Sequence, residues 1–332
     1  MTWNKLLCNI RELQLVGTLS GGQSFRWKQN IDSNEWIGVF SKTVWKLRES
    51  DDHLQYQVLG SLHNTKKEQI KNNKKSKKDV DFDKLLEDYF RLDTNLGQYY
   101  KEWSEKDALF EKACQQFYGI RMLRQEPVEN LFSFICSQNN HISRISTMVE
   151  KLCSHYGEKI CEYEGDTYYA FPEVEKLALP EVESELRNLG FGYRAKFIQK
   201  SAAQIVEWGG VEWFKSLQDM KYKDAKVELM KLHGIGPKVA DCICLMSLNH
   251  LEALPVDTHV YQIAAQNYLP HLKGKKSVTE KMYTEIGDHF RSLYGDMAGW
   301  AHTVLFCADL KKFQQTDDDS ATSKPKKKRK KL

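Results

Sequence analysis

The sequence contains no long hydrophobic run. Its 332 residues include no window of about 18 consecutive apolar residues, and one of its longest apolar stretches is only Cys242–Met246. A membrane-spanning helix is therefore not expected. The N-terminal stretch MTWNKLLCNI also lacks the apolar core of a secretory signal peptide. These two absences predict a soluble intracellular protein.

Closely spaced metal-binding cysteines are also missing. No two cysteines have C-x-x-C spacing, and no cysteine–histidine cluster has the spacing of zinc ligands. No run of cysteines follows residue 242 in the pattern of an iron–sulfur ligand set. The apolar neighbours of the cysteines are typical of reduced core thiols rather than of a disulfide framework. The eight cysteines are Cys8, Cys114, Cys136, Cys153, Cys161, Cys242, Cys244 and Cys307.

A general excess of positive charge is absent once the C-terminus is set aside. The net charge of +4 includes seven basic residues in the last nine, KPKKKRKKL. Without that segment the 49 basic residues become 42, against 45 acidic ones, so the remaining chain carries −3. Any affinity for nucleic acid must therefore come from a local patch or from this tail.

Short strand-like segments occupy residues 24–60. SFRWKQ, EWIGVFS, TVWKLRE and LQYQVLG are rich in aromatic and β-branched residues and are separated by turn sequences. Their short connections predict an antiparallel meander. The following residues, at about 63–79, are lysine-rich and apolar-poor, which predicts a disordered insert. A solvated loop is the simpler interpretation of that insert, and a contact with nucleic acid is the alternative.

From residue 80 almost to the end, apolar residues recur at intervals of three and four, which predicts helices. The expected fold class is α+β. We predict an N-terminal antiparallel β domain with flanking helices over residues 1–105. A helical body would occupy residues 106–312, and a disordered basic tail residues 313–332.

Two amphipathic segments, DAKVELMKL and PKVADCICLMSL, flank the tetrapeptide HGIG and predict a helix-hairpin-helix at about residues 222–249. Gly234 and Gly236 are expected to take positive φ in the reversal. Pro237 suits the first helical position, where its missing N–H is not needed. The free N–H groups and positive dipole of this helix start would form a phosphate site that is independent of base sequence. An ordinary helix turn is the alternative.

Lys238 lies in the first turn of the second helix, where burial and the positive helix end both disfavour an ammonium ion. A neutral amine can attack a sugar C1′ and form a Schiff base. Asp257 stands just before another helix, where an aspartate serves as an N-cap and is held as the anion. A fixed carboxylate also suits a glycosidic transition state, which develops positive charge on the sugar. A surface lysine and a purely structural cap are the alternatives.

These motifs resemble those of a known family. LHGIGPKVADCICL and LPVDTH are similar to the helix-hairpin-helix and Gly-Pro-Asp signature of a DNA glycosylase superfamily. SGGQSFRW, LFSFICSQNNHISRI, LGFGYRAKFI and GWAHTVLFCADL narrow the resemblance to 8-oxoguanine DNA glycosylases of the eukaryotic type, over about residues 7–312 without the lysine-rich insert. The resemblance implies a TATA-binding-protein-like β domain packed on an all-helical glycosylase body. It also implies excision of 8-oxoguanine, and of ring-opened formamidopyrimidine guanine, opposite cytosine, with β-elimination at the abasic site.

The resemblance assigns the two catalytic positions and the base pocket. Lys238 stands at the nucleophile's position and Asp257 at that of the catalytic aspartate. The main-chain carbonyl of Gly22 matches the group that accepts from N7–H of the oxidised base. The remaining base-pocket residues would be Cys242 and Phe306, which sandwich the extruded base, and His302 at its Watson–Crick edge.

The resemblance also assigns contacts with the duplex. Asn139 would fill the vacated stack, and Tyr193 would act as a wedge beside the unpaired cytosine. Arg144 and Arg194 match residues that read this cytosine, and His259 matches one that contacts a phosphate. The hairpin glycines, Gly234 and Gly236, complete the DNA-binding set. No side chain is expected to bind a metal, but a monovalent cation would sit on the backbone carbonyls of Met230, Leu232 and Ile235.

Two positions depart from the family pattern. His233 replaces a proline before the first hairpin glycine, which should matter little. His302 replaces a glutamine, and its imidazole presents a donor and an acceptor on opposite sides of the ring. Protonation below a pKa of roughly 6.5 would replace the acceptor with a second donor, so excision is expected to fall between pH 7 and 5.5 more steeply than in a His302→Gln variant. The alternative is that His302 turns away from the base.

The implied partner is double-stranded DNA with 8-oxoguanine opposite cytosine, bound by a monomer without a required cofactor and away from membranes. The basic tail predicts recognition by a nuclear import receptor and localisation to the nucleus, with non-specific DNA affinity as the alternative. A glycosylase for another lesion, such as an alkylated base, and a non-catalytic DNA-binding module are the competing functions. Gly22 and the cytosine-reading arginines argue against the former, and Lys238 with Asp257 against the latter.

Overall fold

The computed structural model describes residues 2–63, 80–275 and 277–309. The predicted lysine-rich insert from residue 64 onward and the predicted basic tail lie outside these ranges. Within the described residues no helix is both long and apolar enough to cross a membrane. The boundary between the two predicted domains near residue 105 stays a prediction.

The N-terminal part is built on an antiparallel sheet of five strands in the order β1-β5-β4-β3-β2. The predicted meander is confirmed as β2 to β5. Strand β1 pairs with β5 at one edge of the sheet; the sequence did not predict it, and its side chains are mostly exposed. Helix α1 follows β1, and helices α2 to α4 follow the sheet. The bounds are β1 (Asn4–Leu7), α1 (Leu15–Ser20), β2 (Trp27–Asn30), β3 (Glu35–Phe40), β4 (Thr43–Glu49), β5 (His53–Ser61), α2 (Phe82–Tyr89), α3 (Leu96–Lys106) and α4 (Ala108–Cys114).

Aromatic side chains fill the space between this sheet and α2. Phe40 of β3 stacks on Trp45 of β4 at 4.8 Å between ring centroids and on Tyr89 of α2 at 4.0 Å. Such large rings bury much apolar surface and pack in defined geometries. The alternation of inward and outward residues on the strands therefore produces a separate core for the N-terminal part.

The body consists of helices around a second and larger hydrophobic core. The α+β fold class is confirmed. The bounds are α5 (Pro127–Ser137), α6 (Ile142–Tyr156), α7 (Val174–Leu177), α8 (Val182–Asn188), α9 (Arg194–Glu207), α10 (Val211–Gln218), α11 (Tyr222–Leu229), α12 (Pro237–Met246), α13 (Thr258–Asn267) and α14 (Glu280–Tyr294), with α15 starting at residue 298 and described to residue 309.

The prediction of an all-helical body is wrong in one detail. Strands β6 (Lys159–Tyr163) and β7 (Asp166–Tyr169) form a two-stranded antiparallel hairpin between α6 and α7. Its two turn residues, Glu164 and Gly165, have φ of 50° and 86°. Two positive φ values fit a type I′ turn, whose usual signal is Asn-Gly rather than Glu-Gly, so the sequence signal was weak.

Candidate active site

The hairpin between α11 and α12 uses its two glycines differently. Gly234 has φ of +81°, and a Cβ there would lie 2.4 Å from the ring of Phe197. Gly236 has φ of −101°, so the predicted positive φ is wrong at this position. A Cβ on Gly236 would meet nothing within 4 Å. The first glycine is therefore required by backbone conformation and packing, whereas the second leaves open space in front of the start of α12.

Polar side chains of neighbouring segments hydrogen-bond to the backbone of the hairpin. Gln138 Nε2 donates to the Gly234 carbonyl at 2.8 Å, and Ser201 Oγ donates to the His233 carbonyl at 2.8 Å. The His233 N–H donates to Gln204 Oε1 at 2.8 Å. This last bond uses an N–H that a proline at position 233 would lack, so the departure from the family pattern is accommodated by a backbone contact. Pro237 is the first residue of α12, as predicted.

One pocket gathers most residues of the predicted base site. It has a volume of about 70 Å³ and lies where the segment after α1 meets α12, α13 and α15. Typical ligand pockets have about 300–1,000 Å³, so a purine needs this pocket to open. Cys242 is not among the lining residues. The lining consists of Gly21, Gly22, Gln23, Phe134, Lys238, Leu245, Met246, Pro255, Asp257, Val260, His302, Thr303 and Phe306.

The amine of Lys238 sits between an aromatic face and a thiol. Its Nζ lies 4.7 Å from the centroid of the Phe134 ring, within cation–π range. The Cys242 thiol is close enough to Lys238 for the two groups to interact electrostatically. Burial raises the pKa of the Cys242 thiol to about 11, although Lys238 opposes this shift. Cys242 thus shares a helix face with Lys238, as its spacing predicted, and stays a neutral thiol behind it.

Asp257 caps α13. Its carboxylate accepts from the Val260 N–H at 2.9 Å, and its backbone is extended, as in an N-cap residue. The predicted capping geometry is confirmed. This hydrogen bond fixes the position of the carboxylate in the pocket lining. Lys238 and Asp257 line the same pocket, so an amine and a carboxylate lie around one small volume.

His302 and Phe306 lie on one face of α15 and line the same pocket, as predicted. The His302 side chain is buried, and burial lowers its pKa from 6.5 to about 4, with Asp257 opposing the shift. Its Nε2 has no hydrogen-bond partner within the described ranges. The predicted protonation between pH 7 and 5.5 is therefore wrong, because desolvation keeps the imidazole neutral there.

Gly22 brings the N-terminal segment to the pocket. It has φ of +77°, and a Cβ there would lie 4.0 Å from Phe306 Cε1. The neighbouring Gln23 is buried, and its side chain donates to the Arg121 carbonyl at 2.9 Å and accepts from the Leu123 N–H at 3.0 Å. Gln23 therefore fixes the glycine pair to the body. We did not identify Gln23 from the sequence, although a glutamine between glycines and an aromatic segment was the available signal.

A second group of predicted residues surrounds the end of α5. Asn139 is exposed with φ of 47°, and Tyr193 is 46% exposed and donates its hydroxyl to the Gln138 carbonyl at 3.2 Å. The buried Arg194 guanidinium lies 4.6 Å from the Tyr193 ring centroid and donates to the carbonyls of Gln138 and Asn139. Gln138, which we did not single out, thus joins this group to the hairpin.

The other predicted DNA-contacting residues are more separate. Arg144 is exposed in the first turn of α6. His259 lies in the first turn of α13, and its ring centroid is 6.0 Å from that of Phe306 in an edge-to-face arrangement. The structure therefore places His259 against Phe306 of the pocket lining, although His259 does not itself line the pocket, while Arg144 lies on the solvent-facing side of its helix.

The residues of the predicted cation site lie in the turn after α11. Met230 follows the last residue of α11, and the Leu232 carbonyl accepts from the Ile235 N–H at 3.2 Å. That bond leaves the Leu232 carbonyl one lone pair, and carbonyl oxygens suit hard cations. The cation itself stays a prediction. Among the described side chains, no group of three or more His, Cys, Asp or Glu residues has the arrangement of a metal site.

The chain matches two family descriptions. Residues 5–131 match "8-oxoguanine DNA glycosylase, N-terminal domain", and residues 132–287 match "HhH-GPD superfamily base excision DNA repair protein". The chain is 37% identical to the N-glycosylase/DNA lyase OGG1 of Arabidopsis thaliana, over 93% of this chain and 80% of that protein. It is 36% identical to the Saccharomyces cerevisiae N-glycosylase/DNA lyase, over 93% and 86%.

A solved structure supports the same relationship. The Clostridium acetobutylicum 8-oxoguanine glycosylase/lyase, bound to double-stranded DNA containing cytosine opposite 8-oxoG, matches with a TM-score of 0.73 and 29% identity, over 91% of this chain and 93% of that one. The sequence relatives and this shared fold agree with the resemblance inferred from the motifs. The chain belongs to the 8-oxoguanine DNA glycosylase family of bifunctional N-glycosylase/DNA lyases.

Proposed function

We propose that this enzyme excises 8-oxoguanine, and ring-opened formamidopyrimidine guanine, where these bases lie opposite cytosine, and then cleaves the strand by β-elimination. The observation that carries the proposal is the convergence of Lys238 and Asp257 on one pocket that also contains Gly22. The bound DNA of the Clostridium protein, with cytosine opposite 8-oxoG, supports the same substrate pair.

Lys238 is the proposed nucleophile. Its neutral amine attacks C1′, the glycosidic bond breaks, and the base leaves with the bonding electrons and a proton. The C1′–O4′ bond then breaks, O4′ takes up a proton from solvent, and a protonated Schiff base that keeps the last amine proton forms between Lys238 and C1′. Removal of a C2′ proton then expels the 3′ phosphate. The contact of Lys238 with the Phe134 ring holds the amine at the pocket before DNA binds.

Asp257 is the proposed electrostatic partner. The sugar develops positive charge as the glycosidic bond breaks, and a fixed carboxylate stabilises that charge. The hydrogen bond from the Val260 N–H at the start of α13 holds this carboxylate in place. Because its position is set before substrate binds, little reorganisation is needed during the reaction.

An extruded purine would enter between Cys242 and Phe306 once the pocket opens and uncovers Cys242, which does not line the pocket in the unbound protein. The Gly22 carbonyl would accept from N7–H of the base. Phe306 is only partly buried and packs edge-on against His259, whereas the Phe134 ring of the same lining is buried. His302 faces the base as a neutral imidazole with one donor and one acceptor. Extrusion itself is the usual route by which such enzymes reach a base inside a duplex.

The proposed DNA-binding surface combines the two other groups. The start of α12 behind Gly236, together with Gly234 and His259, binds phosphates near the lesion. Asn139 fills the gap left by the base, with Tyr193 as the wedge. Arg144 and Arg194 read the cytosine; because Arg194 is buried in the unbound protein and bonded to the Gln138 and Asn139 carbonyls, its guanidinium must exchange these contacts for the base.

We further propose that the enzyme acts as a monomer on double-stranded DNA without a required cofactor and without membrane association. A monovalent cation on the turn after α11 would neutralise carbonyl dipoles beneath the phosphate site. The basic tail would bind a nuclear import receptor and direct the protein to the nucleus. The density of lysine and arginine in KPKKKRKKL supports this last proposal.

The decisive experiment is incubation with an 8-oxoguanine:cytosine duplex in the presence of borohydride. We expect a covalent enzyme–DNA adduct and base release from the wild type, and neither from Lys238→Gln, which should still bind the lesion duplex. Duplexes with the lesion opposite adenine, and with an alkylated adenine, serve as matched substrates. Faster excision of the alkylated base, or an adduct from Lys238→Gln, would contradict the proposal.

A further inference from the structure

The helix that carries Lys238 also carries a buried carboxylate with three donors. Asp241 lies three residues after Lys238 on α12 and is fully buried. Its Oδ1 accepts from the Tyr222 hydroxyl at 2.7 Å, and its Oδ2 accepts from Lys226 Nζ at 2.8 Å and from the Tyr283 hydroxyl at 2.5 Å. A buried charge needs such partners. The three donors come from α11 and α14, so they hold the carboxylate on α12 in place between these two helices.

The Tyr283 hydroxyl has a second contact that the other donors lack. It accepts from the Val256 N–H at 3.2 Å while donating to Asp241. The Leu254 carbonyl lies farther from it, at 3.4 Å, and a hydroxyl has only one proton to donate. Val256 directly precedes Asp257. A single oxygen atom therefore links the helix of the proposed nucleophile to the peptide that leads into the proposed catalytic carboxylate.

The surroundings of Tyr283 keep this oxygen in place. Lys226 Nζ lies 4.6 Å from the centroid of the Tyr283 ring, within cation–π range, and is itself paired with Asp241. Burial and the nearby Asp241 carboxylate raise the pKa of Tyr283, so the hydroxyl keeps the proton that it donates. Tyr283 lies outside the pocket lining, which excludes direct contact with the extruded base through that pocket.

We propose that Tyr283 is a positioning residue that sets the separation between Lys238 and Asp257 by tying the Val256–Asp257 segment to Asp241 on α12. This inference rests on the proposed catalytic roles of Lys238 and Asp257. Its physical basis is that catalysis is sensitive to small displacements, and a shift of 1 Å costs about a hundredfold in rate. Val256 has this hydroxyl as its acceptor, so removing the oxygen frees the segment just before Asp257.

The test compares two substitutions that remove one hydroxyl each from the same carboxylate. Tyr283→Phe removes the link to Val256, whereas the control Tyr222→Phe removes only a donor to Asp241. We expect Tyr283→Phe to lower the single-turnover rate of 8-oxoguanine excision roughly tenfold, with unchanged affinity for the lesion duplex. Tyr222→Phe should keep the wild-type rate. Rates are measured at a temperature where melting curves show both variants to be folded.

A second measurement separates positioning from a general structural effect. If Tyr283 acts through the Asp257 carboxylate, Tyr283→Phe should cause no further loss in an Asp257→Asn background, because the charge that it positions is already gone. A general structural role would lower the rate about equally in both backgrounds. Equal rates for Tyr283→Phe and wild type, equal losses in Tyr283→Phe and Tyr222→Phe, or full additivity with Asp257→Asn would overturn the inference. Absence of excision by the wild type would instead contradict the proposed function.

Discussion

The imidazole of His302 packs edge-on against the ring of Phe290, with 5.2 Å between the two ring centroids. This contact buries the histidine behind the pocket, and burial lowers its pKa to about 4. Below its ordinary pKa of 6.5, the unfolded chain takes up a proton that the folded chain refuses down to about pH 4. Stability from the neutral histidine is thus present above pH 6.5 and is lost as the pH falls from 6.5 towards 4.

The first prediction is a difference in acid stability. Linkage gives a loss of about 2 kcal/mol from His302 alone between pH 7 and pH 5. In His302→Gln this contribution is absent, so the free energy of unfolding should fall less with acidification than in the wild type. Urea unfolding of both proteins at pH 7, 6 and 5 measures the difference. Parallel dependence on pH would contradict burial of an uncharged imidazole at this position.

The second prediction concerns excision by the same pair of proteins. Because His302 stays neutral, its donor and acceptor pattern should not change between pH 7 and 5.5. The ratio of single-turnover rates between wild type and His302→Gln should therefore be constant over that range. A ratio that falls steadily with acid, measured at saturating enzyme where both proteins are folded, would show that the histidine titrates in the complex with DNA.

The third prediction separates the two tasks of Asp257. Asparagine retains an oxygen that can accept from the Val260 N–H, so Asp257→Asn should lose only about 0–1 kcal/mol of stability. The loss of the fixed charge should slow excision by at least about a hundredfold. Denaturant unfolding and single-turnover kinetics measure the two effects. Asp257→Ala provides the comparison, since it should lose the cap as well as the charge. A wild-type excision rate in Asp257→Asn would refute the catalytic role.

Local sequence patterns predicted those structural features that depend only on residues close together in the sequence. Helix periodicity, the Pro237 helix start and the Asp257 cap depend on neighbouring residues, and each is found where it was expected. The β6–β7 hairpin was missed because its Glu-Gly turn resembles many loop sequences. The predicted positive φ of Gly236 was wrong because a glycine permits positive φ without requiring it.

Long-range contacts explain most of what the sequence did not reveal. Gln23 reaches backbone groups about one hundred residues away, and Tyr283 reaches Asp241 and Val256 from another helix. Neither the periodicity of apolar residues nor the spacing of residues within a motif indicates such long-range hydrogen bonds. The burial of His302 likewise depends on Phe290 of the preceding helix, so its pKa could not be read from its position in α15. The resemblance to a family assigned roles to pocket residues, but it did not include these supporting contacts.

The fourth prediction concerns the C-terminal segment KPKKKRKKL, which lies outside the described residues. Its dense positive charge suits recognition by an acidic groove of an import receptor as well as weak binding to phosphates. Deletion of residues 324–332 in a fluorescent fusion should abolish nuclear accumulation. Replacing the same residues with an uncharged segment of equal length controls for the change in size. Excision by the truncated protein should stay within about twofold at moderate salt. Unchanged nuclear accumulation would remove the targeting role.

The fifth prediction uses the two hairpin glycines as a matched pair. Gly234→Ala forces positive φ on an alanine and places its Cβ 2.4 Å from the Phe197 ring. It should destabilise the protein by at least about 2 kcal/mol, measured by denaturant unfolding. At Gly236 the backbone suits any residue and the added Cβ meets nothing within 4 Å. Gly236→Ala should therefore cost less than about 1 kcal/mol of stability.

DNA binding should reveal a role of Gly236 that its small effect on stability does not. The open space at Gly236 is where a phosphate would approach the first N–H groups of α12, and a methyl group there blocks that approach. Gly236→Ala should weaken binding to both lesion and undamaged duplexes by roughly the same factor, because phosphate contacts carry no sequence information. Fluorescence anisotropy at two salt concentrations measures the affinity and its salt dependence, which should become shallower. Wild-type affinity in a folded Gly236→Ala protein would show that the phosphate does not bind at this helix start.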